Sequence, residues 1–400
     1  MKGSKKGFVL LLAVVCFLTN ISQLPIVVES GMTQFLSAPG WLLVISVLLY
    51  CNLMKFGKME LSMFFLGLLF LLGIVISEIF TYNNHLSSNL IFPFYMSIFI
   101  LFIGISSSNA FNSENFKLLA KAYIAGVLLV SISIYVEFFS NGIDWYSRSY
   151  AYGSKNSISQ MILTAVVFLY LLFKPKKLSL KLFKSILLLF WIFLLFALKS
   201  RATILGVFIA LLIILFSRID KKKRLITFGI ILASFLIFLI NPTLNNIIVE
   251  GVLLGGRDTN LNDLSSGRTN QIFSLFPDLI KGHELLGTGT LYVESFIFNS
   301  LLKHGLLFGW ILILVAILPI YWGLKYLDKS KSINITFLII AITYFINGMF
   351  EAQAPFGPGT KNYILWLMFG LLYGFKRNKK KSKHSRKGQK FATLDIESSK

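Results

Sequence analysis

The chain has 400 residues, of which 56% are apolar and 15% aromatic but only 14% charged, a mixture that a water-soluble globule of this length does not carry. Its formal net charge of +22 would suit a nucleic-acid partner if the basic residues shared one face. They are instead strung between apolar runs, which reads as a membrane-orientation signal with contact to anionic membrane lipids and no nucleic acid.

In chain order, apolar runs of 15 to 22 residues recur from Phe8 to Phe375, each near the roughly 20 residues a helix needs to cross ~30 Å of hydrocarbon. The strict polar and apolar alternation of a membrane barrel is missing, so helices are expected. Spans are placed near residues 8–28, 35–54, 61–80, 90–111, 118–139, 157–173, 182–198, 202–216, 225–240, 294–323, 333–350 and 362–375. The expected fold class is an all-α integral membrane protein of about 12 transmembrane helices, with one long extracytoplasmic loop carrying short amphipathic helices. The first run is read as a retained helix, because no small-x-small cleavage site follows it. Cys16 and Cys51 fall inside apolar runs and offer no disulfide or metal framework. No His-x-x-His or Walker-type pattern is present, and no internal repeat.

Counted over alternate connections, 30 of the 39 Lys and Arg lie on the side of the two termini and nine on the other, so both termini are expected in the cytoplasm. Eleven of the 17 acidic residues, Glu294 and Glu351 among them, sort to the opposite side, as a polar outer cavity would require. The chain then divides into helices one to nine over residues 1–240, the long outer loop over 241–293, helices ten to twelve over 294–375, and a basic tail over 376–400 that is expected to be disordered.

The loop concentrates the chain's polar sequence. Ile272, Leu275, Phe276, Leu279 and Ile280 recur at helical spacing behind Ser266 as N-cap, which predicts a short amphipathic helix that Pro277 bends or divides. Arg148, Arg201, Arg257 and Arg268 stand on the side where the orientation rule disfavours them, so each needs a negatively charged partner. A lipid diphosphate meets that need through the planar guanidinium fork; snorkelling or pairing with an outer carboxylate is the competing reading. Glu294 opens the tenth span either as a partly desolvated carboxylate available to a polar ligand or as a residue favoured by the helix dipole. Gly305 to Gly323 are enough to span alone, which leaves Glu294 to His304 as an outer or re-entrant extension.

Several separated segments resemble the bacterial O-antigen and exopolysaccharide polymerase and ligase family of membrane proteins. Lys199-Ser-Arg-Ala-Thr-Ile-Leu-Gly206 is similar to that family's serine-arginine turn, and Arg148 to Asn156 to its arginine, glycine and asparagine stretch. Ser266-Gly-Arg-Thr-Asn-Gln-Ile-Phe273, Leu286-Gly-Thr-Gly289 and Glu294 to Gly305 then follow in the family's order. Two positions depart from it: Glu294 stands where ligases carry a catalytic histidine eleven residues before the glycine, and Phe273 stands where a tryptophan is usual.

The resemblance implies a metal-independent and cofactor-free glycosyltransferase in the bacterial cytoplasmic membrane. Its substrate would be an undecaprenyl-diphosphate-linked oligosaccharide, polymerised at the outer face, and its working partners a flippase and a chain-length regulator. It implies Arg201 and Arg268 as the groups that stabilise the departing diphosphate and Glu294 as the group that orients or deprotonates the acceptor hydroxyl. Arg148, Asn156, Arg257, His304 and Glu351 are the expected substrate contacts. The alternatives are a ligase that transfers glycan to another acceptor and a lipid-oligosaccharide transporter; the latter is expected to show internal repeats.

Overall fold

The computed structural model describes residues 2–51, 57–81, 84–145, 152, 154–218, 226, 240–254, 260–265, 267–357 and 362–379, and among these residues every regular element is helical. The long helices are α1 (Lys2–Ile21), α2 (Thr33–Tyr50), α3 (Lys58–Thr81), α4 (Ile91–Ser107), α5 (Ser113–Ile134), α6 (Lys155–Leu172), α7 (Leu178–Ala197) and α8 (Arg201–Arg218). Then come α9 (Phe296–Lys325), α10 (Ser332–Gly348) and α11 (363–379). The ninth expected span lies, except for its ends, outside the described residues, as do Arg148, Arg257 and the candidate cap Ser266.

Five of these helices are long and apolar enough to cross a membrane: α3, α5 with the π turn Tyr135–Phe139 that continues it, α6, α7 and α9. Shorter apolar helices accompany them. Their outward faces expose large apolar side chains in helical stripes, such as Phe64, Phe65, Leu68 and Leu72 on α3 and Leu182, Phe183, Ile186 and Leu189 on α7. Water does not tolerate so much contiguous exposed hydrocarbon, and the chain is a membrane-embedded protein. Helix α6 is the interior post: 72% of its most apolar stretch is buried, against 28% to 39% for the other four.

Lipid tails are as apolar as leucine, so helices inside a bilayer associate through close approach and polar contacts. Both appear here. Gly104 of α4 and Gly370 of α11 meet so tightly that a Cβ on either would strike the partner's backbone. Asn20 of α1 donates to the Tyr123 carbonyl of α5 at 3.1 Å and accepts from the Tyr363 hydroxyl of α11 at 3.2 Å. The buried hydroxyls of Thr164 on α6 and Tyr344 on α10 lie 3.2 Å apart, and Trp191 of α7 donates to Ser131 of α5 at 3.1 Å.

Helix α9 is two helices in line. Gly305, with φ 66° and ψ −178°, breaks it where the sequence places the start of the spanning portion. A break frees backbone groups that lipid cannot satisfy, and here the loop 284–289 satisfies them. The amides of Leu306 and Leu307 donate to the carbonyls of Glu284 and Leu285 at 2.7 and 3.1 Å, while the Leu302 and Lys303 carbonyls accept from Thr288 and Gly289 at 2.8 and 3.0 Å. Gly287 and Gly305 face each other across this seam with positive φ, and a Cβ on either would collide with the opposite backbone. The sequence-based tail boundary is corrected at one point: α11 runs on to residue 379, because Arg377 pairs with Glu60 and Asn378 donates to Asn109 Oδ1 at 2.6 Å.

Candidate functional site

At the N-terminal ends of α6 and α9, a cavity of about 420 Å³ collects residues from five stretches of chain. Asn156 and Ser157 come from α6, Arg268 from the long loop, Glu294 from the approach to α9, Glu351 from the segment after α10, and Asn89 from the turn before α4.

The Arg268 guanidinium meets Glu294 through Nη2 and Oε2 at 2.7 Å. The loop reaches this geometry by local means. Gly267 takes the left-handed conformation at φ 80° and caps the turn Arg268–Asn270, where the Ser265 hydroxyl accepts from the Thr269 amide at 2.9 Å. The helical stretch continues as a π turn over Gln271–Leu275 and then as Phe276–Ile280, with Pro277 in its first turn. Proline lacks the amide that an α-helix would use there, and the wider turn directly before it accommodates the loss. The expected short helix is thus present in divided form, and it meets α9 where the rings of Phe276 and Phe298 stand 5.0 Å apart.

Glu294 is held from the backbone. Its amide donates to Gln271 Oε1 at 3.2 Å, so the stretch that carries Arg268 also positions its partner. Asn299, fully buried in α9, accepts from the Val293 amide at 3.3 Å and donates to the Ala352 carbonyl at 3.2 Å. One amide side chain therefore fixes the residue next to Glu294 and the residue next to Glu351. Arg268 also donates to the Ser265 carbonyl at 3.1 Å and lies 6.0 Å from the Phe350 ring centroid, so little freedom remains in its fork. Its side chain is 17% exposed against 41% for Glu294; the carboxylate is the accessible half of the pair.

Of the remaining expected site residues, Asn156 and Glu351 line the cavity. Arg201 lies in the adjoining turn, at the start of α8. Ser200 just before it donates to Asn156 Oδ1 at 2.9 Å, and Lys199 adopts φ 52° with its ammonium donating to the carbonyls of Asp144 and Trp145 at 2.8 Å. A left-handed lysine is uncommon, and two bonds to carbonyls hold it there. Burial lowers the Lys199 ammonium below its usual 10.5, against the pull of Asp144. His304 is buried away from the cavity, its Nε2 3.1 Å from the Ser88 hydroxyl and its ring edge-on to Phe70 at 4.8 Å. Its neighbour Lys303 turns toward the cavity and donates to the lining residue Asn89 at 3.0 Å.

Sequence reasoning passed over Asn89, Tyr292, Phe350 and Gln353, all of which line the cavity, and Asn299, which positions it. Asn299 left a sequence trace, as one of the polar residues that interrupt the apolar run before Gly305. Burial, with the carboxylates Glu294 and Glu351, pushes the Tyr292 hydroxyl above its usual 10, so it stays a neutral donor. Inside the cavity one guanidinium faces two carboxylates, and further positive charge stands one residue behind the lining at Lys303 and in the turn at Arg201. Such a lining offers acceptors to hydroxyl groups and one guanidinium to an anion. Neither a scan against protein-family models nor a search of curated proteins returns a match to this sequence.

Proposed function

We propose that the chain polymerises undecaprenyl-diphosphate-linked oligosaccharide repeat units into an exopolysaccharide, capsule or O-antigen at the outer face of the bacterial cytoplasmic membrane. The observation that carries this reading is the Arg268–Glu294 pair at 2.7 Å, set on a polar cavity at one end of membrane-length helices together with Asn156 and Glu351. The distribution of Lys and Arg along the chain supports about 12 spans, with both termini in the cytoplasm and this cavity outside.

The pairing gives the reaction an order. A diphosphate arriving at Arg268 competes with Glu294 for the guanidinium, and the fork prefers the doubly charged oxygens. Glu294, released, accepts the proton of an acceptor sugar hydroxyl. That oxygen bonds to the anomeric carbon as the bond from this carbon to the diphosphate oxygen breaks, and the electron pair leaves with undecaprenyl diphosphate. Arg268, with Arg201 in the adjoining turn, stabilises the charge growing on the leaving group. Asn156 and Glu351 orient the sugar through its hydroxyls, and holding donor and acceptor together supplies much of the remaining rate.

The test is incubation of the purified chain with native lipid-linked repeat units and no other acceptor, with analysis of glycan length. Lengthened products are expected; transfer only after a different acceptor is added would identify a ligase, and labelling that places Arg201 and Arg268 on the cytosolic side would overturn the assignment.

A further inference from the structure

A second and larger cavity, of about 940 Å³, lies at the far ends of the helices that build the first. Helix α6 contributes Ser157 to the first cavity and Leu171 to the second, and α9 runs from the Glu294 side to Trp322. At 1.5 Å per residue, the 14 positions from Ser157 to Leu171 place the two roughly 20 Å apart along α6. The two cavities are therefore on opposite faces of the bundle.

The second cavity is lined by Lys117, Lys174, Lys331, Lys376 and Lys379 against one carboxylate, Asp328, which is already 3.3 Å from Lys331. All five lysines are solvent-exposed. Beneath them the walls are apolar and aromatic: Leu171, Leu372, Phe375, Trp322 and Tyr326, with the Lys376 ammonium over the Tyr326 ring. Cations at the rim and hydrocarbon beneath, at the ends of membrane-length helices, match an amphiphile whose charge sits at headgroup depth. A soluble anion would gain nothing from the apolar walls, and a zwitterionic lipid would gain little from the lysines.

We propose that this cavity binds an anionic glycerophospholipid, with its phosphate among Lys174, Lys331 and Lys376 and its acyl chains along Leu171, Leu372 and Phe375. The site is separate from the Arg268–Glu294 cavity and does not depend on the chemistry assigned there.

The test uses the full chain in phosphatidylcholine nanodiscs, with spin-labelled phosphatidylglycerol or spin-labelled phosphatidylcholine as probe. The wild-type chain is expected to immobilise the anionic probe preferentially. The triple variant Lys174→Gln, Lys331→Gln, Lys376→Gln should weaken that preference by about 100-fold, at about fivefold for each lysine, whereas the triple change to Arg should keep it. Equal preference in the Gln and wild-type chains would overturn the proposal. So would displacement of the probe by glycerol phosphate, which carries the headgroup charge without the chains. Monodisperse elution and unchanged helical circular dichroism of the Gln variant separate loss of binding from loss of fold.

Discussion

Two arginine–glutamate pairs sit at opposite ends of the bundle, and they differ in what surrounds the carboxylate. Arg377 meets Glu60 at 2.5 Å with the glutamate side chain 3% exposed and the arginine 19%; Arg268 meets Glu294 at 2.7 Å with the arginine 17% exposed and the glutamate 41%. The first pair joins α11 to the start of α3 and buries the carboxylate. In the second, the carboxylate borders a cavity. A pair whose carboxylate is shut in serves assembly, because its charge has no solvent to turn to when the pair is broken. A pair open on its carboxylate side is exchangeable, and exchange is what a catalytic group must do.

The contrast is sharpest in activity. Glu294→Gln keeps the shape of the side chain and removes its capacity to accept a proton, so polymer formation should fall by about 10²–10⁴-fold, the span of general-base contributions. Its stability should change by less than about 1 kcal/mol, since the carboxylate is partly exposed and screened. Initial rates on lipid-linked repeat units and apparent unfolding temperature in the same detergent measure both; a normal rate removes the proposed role. Arg268→Ala should cost about 10²–10³-fold in rate, as expected when one preorganised donor to a developing anion is lost. Wild-type glycan length at equal membrane abundance would contradict this.

At the other end the effect reverses. Glu60→Gln should destabilise the fold by about 3–5 kcal/mol, because with the carboxylate 3% exposed its attraction to Arg377 is little screened by water and no solvent replaces it, read as a lowered unfolding temperature at fixed scan rate. If Glu60→Gln proves as harmless to stability as Glu294→Gln, burial is not what separates the two pairs.

The smallest effect is a pH dependence confined to the cavity end. Burial lowers the His85 imidazole below its usual 6.5, against the pull of Glu78, whose carboxylate accepts from the His85 amide at 2.7 Å. The folded chain therefore holds this proton less tightly than the unfolded one. Its contribution to stability is complete above about pH 6.5 and is lost as the pH falls through the folded value. Unfolding temperatures of His85→Gln should decline less than those of the wild type on acidification; parallel curves would show that His85 does not carry the effect.

Much of this was legible along the chain. The spans at 61–80, 157–173 and 182–198 coincide with α3, α6 and α7, because in lipid each segment must satisfy its own backbone and so announces itself by composition. The break at Gly305 was legible for a related reason: the apolar run after it is long enough to span alone. Arg268 stood out by its position against the orientation rule, Glu294 and Glu351 among the outward acidic residues, and Asn156 through the family resemblance. What only the tertiary structure decided is which of them meet. Asn89, Asn156, Arg268, Glu294 and Glu351 are drawn together by helix packing, and packing in a membrane rests on glycine approach and single hydrogen bonds such as those of Asn20 and Asn299, which no periodicity records. His304 pointed away and Lys303 pointed in for the same reason: one residue along a helix is a rotation of about 100°, and the direction that rotation faces is set by the neighbouring helices, not by the chain.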